Sequence, residues 1–396
     1  MEPDPDVILR PWLDALAAEL VGAPLELLDA HTHIGGNDPD GYRQAPEQLL
    51  ERLALADACA VVFPMHEPAG YPDANDAVLE AARAAPGRLT AFCRIDPRTG
   101  ADAACAEASR ALDAGARGIK LHPRAERFAM DAPAVRALAA LAHERRLPVL
   151  IHAGRGIPAL GSDTVALAEE FPDAHLILAH AAISDLAWLW RVLPERPNVL
   201  IDTAWWSPVD LVALFTLAPP SNVVWASDSP YGAPVSSAVM TLRCALQAGL
   251  SAPAVRGVAG ATMAAVLEAG SAPDLGPPPG AGSARALDPV YERVVSHLLA
   301  AAGRLFGDAD PAEPIALARL ACAVGEATEH SAVCAAVLDL LDRYGAGDGP
   351  APPGQRFAPS ARLLLVALTV ARTPDVALPS LAHAPALTQA SQASVS

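Results

Sequence analysis

Short apolar runs alternate with amphipathic stretches over the first two-thirds of the chain. The runs occupy residues 25–34, 58–64, 89–95, 118–122, 148–152, 175–180, 198–203 and 222–228. Each has the length and the branched, aliphatic content of a buried strand. Between them, residues 46–57, 101–114, 131–146, 163–171 and 184–193 carry apolar side chains at helical spacing. Gly115, Gly118 and Pro148 fall where helices should stop. Eight strands alternating with helices over about 240 residues predict an α/β fold, a closed (β/α)8 barrel of the TIM type. An open doubly wound sheet would show a Gly-rich phosphate turn after its first strand, and no G-x-G-x-x-G stands there.

The rest of the chain reads differently. Residues 1–24 form a helical lead-in to the barrel of residues 25–269. Residues 270–287 form a Pro/Gly linker. Residues 288–375 then show only helical periodicity, at 288–306, 313–328, 329–344 and 359–372, and predict an additional all-helical C-terminal domain. Residues 345–355 read as a flexible loop. Residues 376–396, with no charge beyond a protonatable His383, read as a disordered tail.

Composition narrows the function. Hydrophobic residues make up 52% of the 396 and charged residues 18%, the balance of a core-rich protein. A net charge of -17 argues against nucleic acid and anionic membrane surfaces as partners. The N-terminus is acidic and lacks a signal-peptide pattern, and no apolar run is long enough to span a bilayer. Six scattered cysteines without a C-x-x-C pair read as reduced, mostly buried thiols, which suits a cytoplasmic protein. Lys120 is the only lysine among 28 basic residues. An amine can lose its proton near neutrality or be carboxylated, and a guanidinium cannot, so its retention suggests a chemical role.

The chemistry concentrates at strand ends. Asp29-Ala30-His31-Thr32-His33 closes the first strand, and alternation puts His31 and His33 on one face. Two neighbouring imidazoles in an apolar mouth cost desolvation unless something pairs with them, and a divalent metal does so. A histidine pair satisfied by the core is the other reading of H-x-H taken alone. His152, His180 and Asp228 end the fifth, sixth and eighth strands. The carboxyl ends of barrel strands are where such enzymes keep their reacting groups, so the four placements together favour a metal site. Lys120 and His122 share the lumen face of the fourth strand.

The order H-x-H, G-I-K-L-H-P, I-H-A-G, L-A-H-A and S-D-S-P resembles the amidohydrolase superfamily. More narrowly, it is similar to the amidohydrolase-related branch that includes aminocarboxymuconate semialdehyde decarboxylase and γ-resorcylate decarboxylase. The resemblance covers roughly residues 25–268 and leaves out the helical C-terminal part. It implies metal ligation by His31, His33, His152 and Asp228. It implies that Asp228 touches the reacting water and that His180 orients or deprotonates it. Lys120 is then either a carboxylated bridge between two metals, as in binuclear members, or a cation beside a single ion. One divalent metal, zinc, is the expectation carried by the narrower branch.

Around this set stand candidate substrate contacts: His122, Arg124, Arg155, Trp205 and Trp206. The arginines would grip a carboxylate and the indoles would wall a ring. Arg94, His66 and Glu67 are weaker candidates, and Asp202 is either a ligand or the partner of one. Pro230-Tyr231-Gly232 should shape the mouth after Asp228. The expected activity is a metal-dependent hydrolase attacking a small amide, ester or lactone. The alternatives are a metal-dependent decarboxylase of a small carboxylic acid, or a silent binding barrel, which should have lost a ligand. The partner is a small molecule, and the helical part could serve as a contact surface for a second copy of the chain.

Overall fold

The structure is a computed structural model that describes residues 4–154, 159–283, 285–347 and 356–379. Arg155 and most of the predicted 345–355 loop lie outside the described residues, as does the tail beyond 379.

The eight expected strands are present, with the third split in two. They are β1 (Leu27–Ile34), β2 (Ala58–Pro64), β3 (Leu89–Ala91), β4 (Cys93–Arg94), β5 (Ile119–Leu121), β6 (Pro148–Ile151), β7 (His175–Leu178), β8 (Val199–Asp202) and β9 (Val223–Val224). All pair in parallel with their chain neighbours, in the runs β1–β3 and β4–β9. The break falls at Phe92, whose N–H still donates to Val62 O at 2.9 Å. A Cβ on Gly118 would lie 2.5 Å from the Phe92 ring, so this glycine makes room for the ring and is not a helix stop. The barrel closes where Ala30 N–H donates to Trp225 O and His33 N–H donates to Ser229 O. Thr32 and Ser229 form a parallel bridge at the same seam.

The lumen is a packed layer. Leu150, Ile177, Leu200, Val61 and Phe92 are buried there in one apolar cluster. Lys120 is in register with Leu150 on one side and Arg94 on the other. It therefore occupies a lumen position between an aliphatic side chain and a buried guanidinium, and it is fully buried. A charge there is costly, which makes Lys120 the most conspicuous substitution in the layer.

Most helices of the outer ring start with proline in the first turn, including Pro46–Ala56, Pro72–Ala84, Pro133–Arg145, Pro208–Leu217 and Pro234–Ala248. The fixed φ suits a first helical residue and the lost N–H would be unpaired there anyway. The helix expected over 184–193 is reduced to Leu186–Leu189, followed by the 3-10 turn Leu193–Glu195. This short segment follows positive φ at His180, Ala181 and Ala182, a backbone that no continuous helix can leave directly.

After the linker come helices Pro289–Phe306, Ala312–Ala321, Ser331–Ala346 and Ala361–Arg372. The helix expected to reach 328 stops at Ala321, where Cys322 caps it. The last helix packs on Pro234–Ala248 of the barrel, and Leu364 and Leu368 share one core with Val239 and Leu242. Buried Arg243 donates to Thr373 O, Val376 O and Ala377 O. Residues 376 and 377 are therefore anchored, although they read as the start of a loose tail. No helix among the described residues is long and apolar enough to cross a membrane.

Candidate active site at the barrel mouth

β1 delivers His31 and His33 to the mouth on one face, 52° apart in ring plane. His31 Nε2, His33 Nε2 and Asp228 Oδ1 lie 3.1 Å from one another. His180 joins them: one ligand atom each from His31, His180 and Asp228 fall within 4.8 Å of one another. Asp228 and His180 both have positive φ, 58° and 59°. Such conformations cost roughly 1–3 kcal/mol each and persist only where the surroundings impose them. Here Asp228 N–H donates to His31 O at 2.9 Å, and His180 N–H donates to Asp202 Oδ1 at 2.8 Å.

Hydrogen bonds fix the imidazole tautomers. His31 Nδ1 sits 2.7 Å from Asp202 Oδ2, so it carries a proton and turns Nε2 toward the cluster. His180 Nδ1 donates to Ala204 O at 2.9 Å, which leaves its Nε2 as the acceptor for His152 Nδ1–H, also at 2.9 Å. His152 Nε2 is then a bare lone pair, buried and without a partner. His152 stacks on His122 with ring centroids 3.8 Å apart. Burial lowers the proton affinity of His33, to about 3, and of His122, His152 and His180, so these rings are neutral near pH 7. Burial alone would raise Asp228, but the charge and hydrogen bond of His31, then the His33 hydrogen bond, outweigh it and hold the carboxylate well below its usual range. Asp228 and Asp202 in turn raise the proton affinity of His31 against its burial, so without a metal Nε2 of His31 favours a proton shared with Asp228.

This donor set fits a divalent cation. Ring nitrogens and a carboxylate oxygen converge at a spacing that a cation or a shared proton must bridge. Asp202 is the partner that orients His31 and is not itself in the donor group. A carboxylate behind a ligating imidazole is the usual arrangement. Sequence reading left that role open. It placed Asp29 in the β1 motif without a role; its Oδ1 accepts from Ser227 N–H and His31 N–H and ties β1 to the loop bearing Asp228.

The mouth opens into a cavity of about 560 Å³. His31, His33, His152, His180 and Asp228 line it together with Lys120, His122, Arg124 and Arg127. Lys120 Nζ is buried without a hydrogen-bond partner, 4.9 Å over the Phe63 ring. Burial first, then the charge of Arg94, pulls its proton affinity down to about 7. Arg94, a weaker candidate for gripping substrate, is committed elsewhere. Its guanidinium donates to Glu126 at 2.7 Å and lies over the Tyr71 ring, and Tyr71 OH donates to Glu126 as well. His66 lines the cavity, while Glu67 accepts from Asn37. Tyr231 closes the rim through a hydrogen bond to Asp38. Trp205 and Trp206 do not face this cavity. They line an adjoining one of about 330 Å³ that shares His180, Asp228 and Tyr231 with it.

Comparison with known proteins agrees with this geometry. The family model described as Amidohydrolase matches residues 28–267. The chain belongs to the amidohydrolase family. The resemblance read from the strand-end motifs is borne out, and the matched region is the barrel. No curated protein matches the sequence. Among solved structures, a TIM-barrel protein of Bordetella bronchiseptica matches with a TM-score of 0.50 at 16% identity, over 62% of this chain and 99% of that one. The 2,6-dihydroxybenzoate decarboxylase complexed with 2,6-dihydroxybenzoate matches at 0.50 and 15%, over 61% and 99%. The Metarhizium anisopliae IDCase matches at 0.50 and 14%, over 62% and 97%. At these identities the likeness concerns the barrel fold. This amidohydrolase continues well past the family match, through the linker and the helical segment.

Proposed function

We propose that this amidohydrolase is a metal-dependent decarboxylase of a small carboxylic acid, working with one divalent ion, zinc by preference, held by His31, His33 and Asp228 with help from His180 or His152. The observation that carries the reading is the pairing of that donor cluster with a buried Lys120, without a hydrogen-bond partner, in the same cavity. Basic side chains beside a metal site suit an anionic substrate better than a neutral amide or lactone. The decarboxylase named among the fold neighbours is consistent with such chemistry on this barrel.

The bound ion would supply Lewis acidity, polarising a substrate oxygen. The chain's own residues do the rest. Lys120 and Arg124 hold negative charge on the substrate. As the carbon–carboxylate bond breaks, its electron pair stays on carbon, and that carbon takes a proton that Asp228, a carboxylate at rest, first accepts from solvent and then passes on. The proton is replaced from solvent through the hydrogen-bonded His180–His152 pair. Lys120 acts here as a plain cation and not as a carboxylated bridge.

Hydrolysis of an amide, ester or lactone is the second reading, since the same donor set can activate water. The deciding experiment feeds zinc-loaded protein a panel of aromatic and aliphatic carboxylates, lactones and amides. Carbon dioxide release from a carboxylate, absent without metal, supports the proposal. Lactone or amide opening without carbon dioxide contradicts it.

A further inference from the structure

The cavity beside the metal centre shares His180 and Asp228 with it but is otherwise walled largely by aromatic rings. Trp205 and Trp206 follow β8, Phe306 ends the helix Pro289–Phe306, and Phe357 precedes the last helix. Trp206 and Phe306 are 5.1 Å apart between centroids, and Phe306 meets Phe357 edge-on at 5.4 Å. These spacings make a continuous aromatic wall. Two of its rings come from beyond residue 267, where the family match ends.

Most polar groups bordering this chamber are already engaged, and Asp40, which lines both cavities, is exposed at the rim. Arg356 pairs with Asp308 at 2.9 Å, and Arg362 reaches Asp4 at 3.4 Å. Trp205 Nε1–H donates to Asp210, and the hydroxyls of Ser236 and Ser237 donate to backbone carbonyls. What the chamber offers is therefore flat apolar surface. It opens directly onto His180 and Asp228, and with about 330 Å³ it is large enough for a ring.

We infer that the C-terminal helical segment completes a substrate subsite, and that this subsite seats an uncharged aromatic ring attached by a short spacer to the carboxylate held at the metal centre. The inference rests on the carboxylate reading of the site and narrows it: the substrate class is arylalkyl or aryl-substituted carboxylates, not compact acids. Trp206 and Phe357 are specificity-determining residues in this scheme.

The test is calorimetric titration of the full-length zinc-loaded protein with 4-phenylbutyrate and with butyrate. Burial of a phenyl group in the chamber should make the first bind at least about tenfold tighter. Trp206→Ala and Phe357→Ala should each bring the ratio of the two affinities toward one. A ratio near one in the unaltered protein overturns the inference, as does a ratio that survives both substitutions. If Trp206→Ala fails to fold by circular dichroism, Phe357→Ala and the unaltered protein decide the matter. Carbon dioxide release is scored separately. A ring preference without carbon dioxide release removes the decarboxylase reading and leaves the chamber. Carbon dioxide release without a ring preference removes the chamber alone.

Discussion

The two chambers that meet at Asp228 are built in opposite ways. The polar one is made of single residues, His31 and His33 placed by alternation on β1, and His152, His180 and Asp228 in the turns just beyond β6, β7 and β9. The aromatic one is made of rings brought together from β8, the helix ending at Phe306 and the segment before Ala361. The first depends on local backbone geometry and on hydrogen bonds that hold strained residues such as His180 and Asp228. The second depends on how a helical segment docks on the barrel. On the proposed reading, chemistry and selectivity are separable in this molecule: the barrel carries the reacting groups, and the C-terminal extension shapes what reaches them.

That separation can be broken most severely at Asp228. Asp228→Asn keeps the size of the side chain but removes the proton carrier and a metal ligand. Turnover should fall by about 1,000-fold or more, in steady-state assays with metal present, while the circular dichroism spectrum stays unchanged. Asp202→Asn acts one step back, on the proton of His31 Nδ1. Metal affinity should drop by about 10- to 100-fold, read by competition with a chromophoric chelator, and ring preference should be unaffected. An unchanged affinity would mean that His31 needs no such partner.

Lys120 sharpens the comparison through pH. Its folded-state proton affinity is lowered from 10.5 to about 7, so between those values the unfolded chain binds more protons than the folded one. Stability of the metal-free protein should therefore rise with pH through this window, by about 2 kcal/mol between pH 7 and 9. Lys120→Met should remove that rise when urea midpoints of the two proteins are compared at each pH. Parallel profiles would show that the amine is not held in the lumen as described. The smallest effect is expected on the outer face of the helical segment. Leu320 is 70% exposed, and Leu320→Ser should change stability by no more than about 0.5 kcal/mol and leave substrate selectivity alone.

How much of this was legible in the sequence follows the same division. His31, His33, His180 and Asp228 could be placed because period-two alternation and strand ends are local signals. Lys120 stood out as the only lysine, and the structure shows the consequence, a buried amine between Leu150 and Arg94 in the lumen. Arg94 looked available for substrate because its partner, Glu126, lies 32 residues away on a short turn of helix that only folding brings near. Asp202 was seen as a candidate, but its service to His31 spans 171 residues. Nothing in the local pattern links Trp206 to Phe306 and Phe357, since their contact depends on helix docking. The anchored residues Val376 and Ala377 looked loose for the same reason: buried Arg243, far back in the chain, donates to their carbonyls.

The most direct test of the whole account is the metal content of the full-length protein, measured by inductively coupled plasma mass spectrometry after zinc loading and gel filtration. The account predicts one equivalent of zinc per chain, retained in Lys120→Met and lost in His31→Ala. Protein that retains no metal, or that retains it equally well without His31, would contradict it.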